Sequence, residues 1–256
     1  MNSRKDKMLA FGRLLDIMDD LRSGCPWDRK QTWSSLRILT IEEMYELVDA
    51  ILDNDDQSIK EEIGDLMMHM VFYAKIGEEK SAFDIKDALD TICDKLIHRH
   101  PHIYSDAVVN DDRDVKKNWE QLKLDEGKKS VLSGVPASLP AIVKAFRLQD
   151  KTAQFGFEWD NIDQVWAKVQ EEIDELLDEV RIPKNQQRIE EEFGDVLFAL
   201  VNYARFLKID PEAALEGVNK KFKKRFEYIE QHAPKSLSDM SLSEMDHLWN
   251  DAKKIE

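Results

Sequence analysis

The chain has 256 residues, 42% of them hydrophobic and 35% charged, with a formal net charge of −15. That length suits two compact domains with real cores. The charge excludes a general attraction to DNA or RNA, and the lack of any run of about 18 apolar residues excludes a membrane-spanning helix.

Nine Gly and seven Pro leave few turns, so long helices are expected. The first segment, MNSRKDKMLAFGRLLDIMDDL, is charged and amphipathic, without an apolar core or a small-residue cleavage site. It reads as the opening helix of a cytoplasmic protein. Cys25 and Cys93 lack metal-type spacing and are expected to be reduced and structural. After Cys25-Pro26-Trp27-Asp28, the positions Ile41, Met44, Leu47, Val48 and Ile51 follow a helical period. Asn54-Asp55-Asp56 marks a turn, and 61–76 is largely apolar after its opening acids, as a central helix should be. His98, His100 and His102 alternate around Pro101; they read as a packed or surface turn and are assigned no role.

The stretch 125–140 holds two Gly and two Pro and has no amphipathic period, so it reads as a linker. Beyond it the pattern restarts. Val169, Ile173, Leu176, Leu177 and Val180 repeat the helical period, Pro183-Lys184-Asn185 repeats the turn, and 190–207 repeats the central helix. The repeat is also literal. Trp27-Asp28 returns as Trp159-Asp160, Glu42-Glu43 with Glu46 as Glu171-Glu172 with Glu175, and Glu61-Glu62 with Asp65 as Glu191-Glu192 with Asp195. Tyr73-Ala74 returns as Tyr203-Ala204, Lys95 with Arg99 as Lys221 with Arg225, and Trp119 with Lys123 as Trp249 with Lys253. The fold expected is all-α: a tandem repeat of two helical-bundle modules, 1–124 and 141–256, joined by 125–140.

Glu172 and Glu175 stand three apart on one helix, and Glu192 and Asp195 three apart on the next. Residues at that spacing share a helix face. If the two helices form a hairpin, four carboxylates converge, each beside apolar neighbours (Ile173, Leu176, Phe193, Val196). Like charges near a core repel and are costly to desolvate unless a cation neutralises them. Oxygen ligands suit Mg²⁺, with Mn²⁺ a possible substitute, and no His or Cys is placed to favour zinc. A single Glu-x-x-Glu is usually solvated surface; two on consecutive helices, both duplicated, favour metal. A di-iron site needs two Glu-x-x-His motifs, and the chain has one, Glu244 to His247. Lys168 and Arg188 each precede an acid by four residues, and Lys221 and Arg225 add two cations on a later helix. Ordinary helix ion pairs or a solvated basic stripe would explain any of these alone; together with metal-bound acids they describe a polyanion site.

These motifs are identifiable. Gly156-Phe157-Glu158-Trp159-Asp160, the two acid motifs, Lys221 with Arg225-Phe226, Cys25-Pro26-Trp27-Asp28, the His98–His102 run and Val135-Pro136-Ala137-Ser138-Leu139-Pro140 resemble the MazG nucleoside triphosphate pyrophosphohydrolase family over nearly the whole chain. The resemblance implies an all-α NTP pyrophosphohydrolase fold, a homodimer, and Mg²⁺-dependent cleavage of nucleoside triphosphates between the α- and β-phosphates. It implies Glu172, Glu175, Glu192 and Asp195 as metal ligands. Lys168, Glu171, Glu172, Arg188, Glu191, Asp195, Lys221, Arg225 and Trp249 would contact the substrate. Glu171 or Glu191 would accept the proton of the attacking water. Trp159 reads as packing, whereas Trp249 fits either packing or stacking on a base.

The first copy keeps Glu43, Glu46, Glu62 and Asp65, a possible vestigial metal site, but Leu39 and Ser58 stand where the second has Lys168 and Arg188. It is expected to be weak or inactive. Two alternatives remain: a helical pyrophosphohydrolase acting on dUTP or phosphoribosyl-ATP, and a non-catalytic adaptor. Against the adaptor, Gly64 and Gly194 sit inside apolar helices, where Gly costs about 1 kcal/mol relative to Ala, so a close helix contact beside the acids is expected.

Overall fold

The computed structural model describes residues 1–105, 115, 118, 119, 121, 122, 126, 127 and 130–255. Among these there are helices, turns and irregular connections, and no strand. The chain divides into two compact units, Met1–Asn110 and Asp111–Glu256. The described residues between 115 and 140 therefore group with the second unit. Lys123 and three positions of the expected linker (125, 128 and 129) lie outside the described residues.

Unit one opens with α1 (Arg4–Gly24), started by a reciprocal Ser3/Asp6 capping box. A Thr32/Ser35 box starts α2 (Trp33–Leu52), and Asp55 caps α3 (Asp56–Glu79). The α2–α3 turn passes through Asn54 at φ 54°, a left-handed position that Asn tolerates better than most residues. Helices α4 (Ile85–Arg99) and short α5 (Pro101–Tyr104) follow. The core gathers Met18, Leu36, Val71, Phe72 and Ile76, with Trp33, Leu39 and Met68 against it. Thr40 Oγ1 ties α2 to α3 at 2.7 Å from His69 Nδ1 and 2.6 Å from the Tyr73 hydroxyl. His100 Nδ1 lies 2.6 Å from the Leu96 carbonyl, which fits the turn reading of the histidines. Both cysteines are free; Cys93 is exposed, so it does not hold the core.

Unit two repeats the plan. A 3₁₀ turn at Val131–Gly134, inside the expected linker, packs on α6 (Ala141–Ala153). Helices α7 (Ile162–Val180) and α8 (Gln186–Phe206) form its most extensive pair, as α2 and α3 do in unit one. Their turn carries Lys184 at φ 63°, the counterpart of Asn54. Asn161 caps α7 through Gln164 N. Then α9 (Pro211–His232), capped by Asp210 with Pro at its first position, packs on α6 and α8, and α10 (Leu242–Ala252) packs on α9.

The glycine expectation is corrected. A Cβ added at Gly64 or Gly194 would meet nothing within 4 Å. No close helix approach compensates these glycines, and they carry no argument about the acids.

Candidate metal and nucleotide site in unit two

Helix periodicity aims two acids inward. Glu172 shares a face of α7 with the buried Val165 and Val169, and Glu192 shares a face of α8 with Val196 and Ala199. Glu172 is 8% exposed and Glu192 6%. Together with exposed Asp195 they offer three carboxylate oxygens within 4.8 Å of one another. Glu175, expected as a fourth, is exposed and outside this group. It still feels the group: its carboxyl is raised above the ordinary value by desolvation first, then by Glu172 and Glu192, with Lys168 opposing.

Each buried acid has its own cation one turn away. Lys168 Nζ lies 2.8 Å from both Glu171 and Glu172, which push its pKa upward. Arg188 bridges Glu191 at 2.7 Å and Glu192 at 2.8 Å. The two candidate proton acceptors, Glu171 and Glu191, are exposed and held by these cations.

Beside the acids opens a cavity of about 560 Å³. Glu172, Asp195 and Lys168 line it, as does the charged Glu158, while Leu132, Phe157, Trp159 and Phe198 supply apolar wall. Such a volume is in the range of small-molecule sites. Trp159, read from the sequence as packing, lines this cavity and is 42% exposed. Gln149, Asn202 and Arg205 also line it and were not singled out. Lys221, Arg225 and Trp249 do not line it. The Trp249 ring instead sits 5.2 Å from Phe222, with the Arg225 guanidinium 5.4 Å from its centre.

One signal would have found Asn202: cavity positions that differ between the copies, a signal that misses Arg205, whose counterpart is Lys75. At matching register, Asn202 is Phe72 in unit one, Ala199 is His69 and Lys168 is Leu39. Phe72 is 1% exposed, His69 is buried, and Leu39 packs on the core. Unit one keeps three grouped acids, Glu43, Glu62 and Asp65, with Glu46 outside that group. Without the two cations their repulsion is unrelieved: the Glu43 carboxyl is raised by desolvation first, then by Asp65, Glu46 and Glu62. Its described cavity, about 220 Å³, is lined by none of these acids.

Fold and site together define a class: an all-α bundle in which grouped carboxylates meet a nucleoside-sized cavity. Within that class, the chain belongs to the MazG nucleotide pyrophosphohydrolase family, whose domain model matches twice, at residues 31–104 and 161–229. It is 40% identical to the nucleoside triphosphate pyrophosphohydrolase/pyrophosphatase MazG of Thermotoga maritima, over 97% of this chain and 98% of that protein. It is also 40% identical to the nucleoside triphosphate pyrophosphohydrolase of Escherichia coli strain K12, over 97% of this chain and 99% of the relative. Identity to the uncharacterized protein YabN of Bacillus subtilis is 44%, over 99% of this chain and 54% of that longer protein. Both matched segments contain a full set of acids, so family membership alone does not distinguish the units; Lys168 and Arg188, replaced by Leu39 and Ser58 in unit one, do.

Proposed function

We propose that this protein is a nucleoside triphosphate pyrophosphohydrolase with one working centre, in unit two, that releases nucleoside monophosphate and pyrophosphate by cleavage between the α- and β-phosphates. The observation that carries this is the junction of Glu172, Glu192 and Asp195 with the cavity edge at Lys168. The donor set fits a hard divalent cation, Mg²⁺ with Mn²⁺ as substitute: two of three carboxylates are buried, and all donors are oxygen. Glu172, Glu192 and Asp195 would hold it, with Glu175 within electrostatic reach. When bound, such an ion polarises phosphoryl oxygens and lowers the pKa of water.

The remaining roles belong to side chains. Lys168 Nζ, at the cavity edge, orients the phosphate nearest the nucleoside. Arg188 holds Glu192 and Glu191 in place. Glu171 or Glu191 takes the proton of the attacking water; Glu171→Gln and Glu191→Gln, compared separately, identify which. Lys221 and Arg225 balance charge on the departing pyrophosphate from α9. The apolar walls exclude water and seat the nucleoside, and Trp159 offers its ring face to a base.

Unit one serves the fold. Phe72, His69 and Leu39 fill the positions that line the nucleoside cavity in unit two. The protein acts as a homodimer in the cytoplasm, without nucleic acid or membrane partners. Supporting this, α4 buries no residue and leaves Leu89, Ile92, Leu96 and Ile97 exposed, while α8 exposes Phe193, Leu197 and Leu200. Among the described residues no helix is long and apolar enough to cross a membrane.

The test is pyrophosphate and monophosphate release from a triphosphate panel with Mg²⁺, by wild type, Glu172→Gln and Glu43→Gln. Activity in wild type and Glu43→Gln but not in Glu172→Gln is expected. Activity that survives Glu172→Gln and disappears only when Glu43→Gln is added would move the centre to unit one.

A further inference from the structure

Among the described residues, three buried side-chain polar atoms have no hydrogen-bond partner: Gln149 Oε1, Gln154 Oε1 and Arg205 Nε. Two of these three belong to residues lining the cavity. Leaving a buried polar atom without a partner is costly, so its persistence in a residue that lines a cavity needs a reason.

Local geometry fixes both groups. Gln149 is 7% exposed, and its Nε2 donates to the Phe198 carbonyl at 2.8 Å, which sets the amide and leaves Oε1 as the spare atom. Thr152, the next residue on that face, gives its hydroxyl to the Gln149 backbone carbonyl at 3.1 Å and so does not serve Oε1. The Arg205 guanidinium is clamped at its far end. Nη1 donates to Glu158 at 3.0 Å, and Nη2 to Glu158 and, at 3.0 Å, to Asn202 Oδ1. Its Nε is buried and has no partner. The residues lining the cavity therefore include one acceptor and one donor atom without a partner.

A ligand that satisfies both carries an N–H donor and an acceptor, and the Trp159 and Phe198 rings in the cavity wall suit a flat partner. That is the chemistry of a nucleobase edge. We propose that Gln149 is a specificity-determining residue of this enzyme: its Oε1 accepts an N–H from the edge of the substrate base, with Arg205 Nε as the complementary donor. This deepens the pyrophosphohydrolase reading and rests on it. The amide–Phe198 bond makes the acceptor rigid, so an edge without N–H meets an unsatisfied oxygen and is rejected.

The experiment compares ATP with purine riboside 5′-triphosphate, which lacks the 6-amino group and has no N–H on that edge, in wild type and Gln149→Met. The expected result is a kcat/KM for ATP about 10- to 100-fold above the analogue in wild type, carried mainly by KM. In Gln149→Met the ratio should fall to within about threefold. Equal use of both substrates by wild type would overturn the proposal, and that comparison stands whether or not the variant folds. A ratio that survives Gln149→Met, or an equal loss on both substrates, would assign Gln149 to packing or to a bound water. If wild type releases no pyrophosphate from any triphosphate, the pyrophosphohydrolase reading fails separately. Equilibrium dialysis of AMP against purine riboside 5′-monophosphate then decides the base contact alone, with tighter AMP binding expected and equal binding overturning it.

Discussion

At the scale of single residues, the two acid groups invite opposite substitutions. Glu172→Gln removes a carboxylate from the cavity edge and should lower kcat at least about 100-fold in the pyrophosphate assay, since loss even of an outer-shell partner of a metal typically costs 10- to 100-fold. Glu43→Gln should leave activity intact. It should also raise the melting temperature in chelator by a few degrees, because it removes one of several repelling carboxylates that have no nearby cation in place of Lys168. Its titration agrees in sign. The folded-state pKa of Glu43 lies above its ordinary 4.5, so the destabilising repulsion is present above the folded pKa and is relieved as pH falls through it. His69 works the other way: burial lowers its folded pKa below 6.5. Below pH 6.5 the unfolded chain takes up a proton that the folded one refuses, and stability falls until the folded pKa is reached. Melting between pH 7.5 and 5.5 should therefore decline more steeply for wild type than for His69→Phe. An identical slope would remove His69 from the account. Legibility at this scale was uneven. The carboxylates announced themselves because each i, i+3 pair was duplicated, but Gln149 and Arg205 matter for the partner each lacks, and a missing partner leaves no trace in a sequence.

At the scale of elements, helix signals were largely readable. Ser3, Thr32, Asn161 and Asp210 are N-caps where the residue types suggest them, and both hairpin turns fall at the expected polar triplets. Asn161→Ala should cost about 1 kcal/mol, a drop of roughly 2–4 °C in the unit-two melting transition, because the Gln164 amide loses its acceptor just before the cavity-lining segment of α7. Lys168→Leu, which installs the residue unit one has, should cut kcat/KM by about 10- to 100-fold, as expected when a charged hydrogen-bond donor is lost. A change below twofold would place Lys168 in the role of a surface ion pair. What failed at this scale was Gly64 and Gly194: composition implied a close helix crossing, and the structure leaves the space beside them open. A glycine records permission for an approach, not the approach.

At the scale of the whole molecule, one metal-linked centre predicts a simple linkage. Mg²⁺ at about 100 times its Kd stabilises the folded state by about 2.7 kcal/mol. The thermal shift should be lost in Glu172→Gln and kept in Glu43→Gln. If Glu43→Gln alone abolishes the shift, the ion resides in unit one. The sequence by itself determined the all-α class, the duplication and the acid motifs, because these depend on short-range periodicity and on a repeat that can be read by comparison. Only the tertiary structure decided that three of the four acids group within 4.8 Å, that Trp159 walls a cavity, and that Phe72, His69 and Leu39, at the matching positions of unit one, are buried in or packed on its core. The physical reason is that a cavity is an absence bounded by residues distant along the chain. Its volume depends on which side chains meet across packed helices, and no local pattern of residues encodes that.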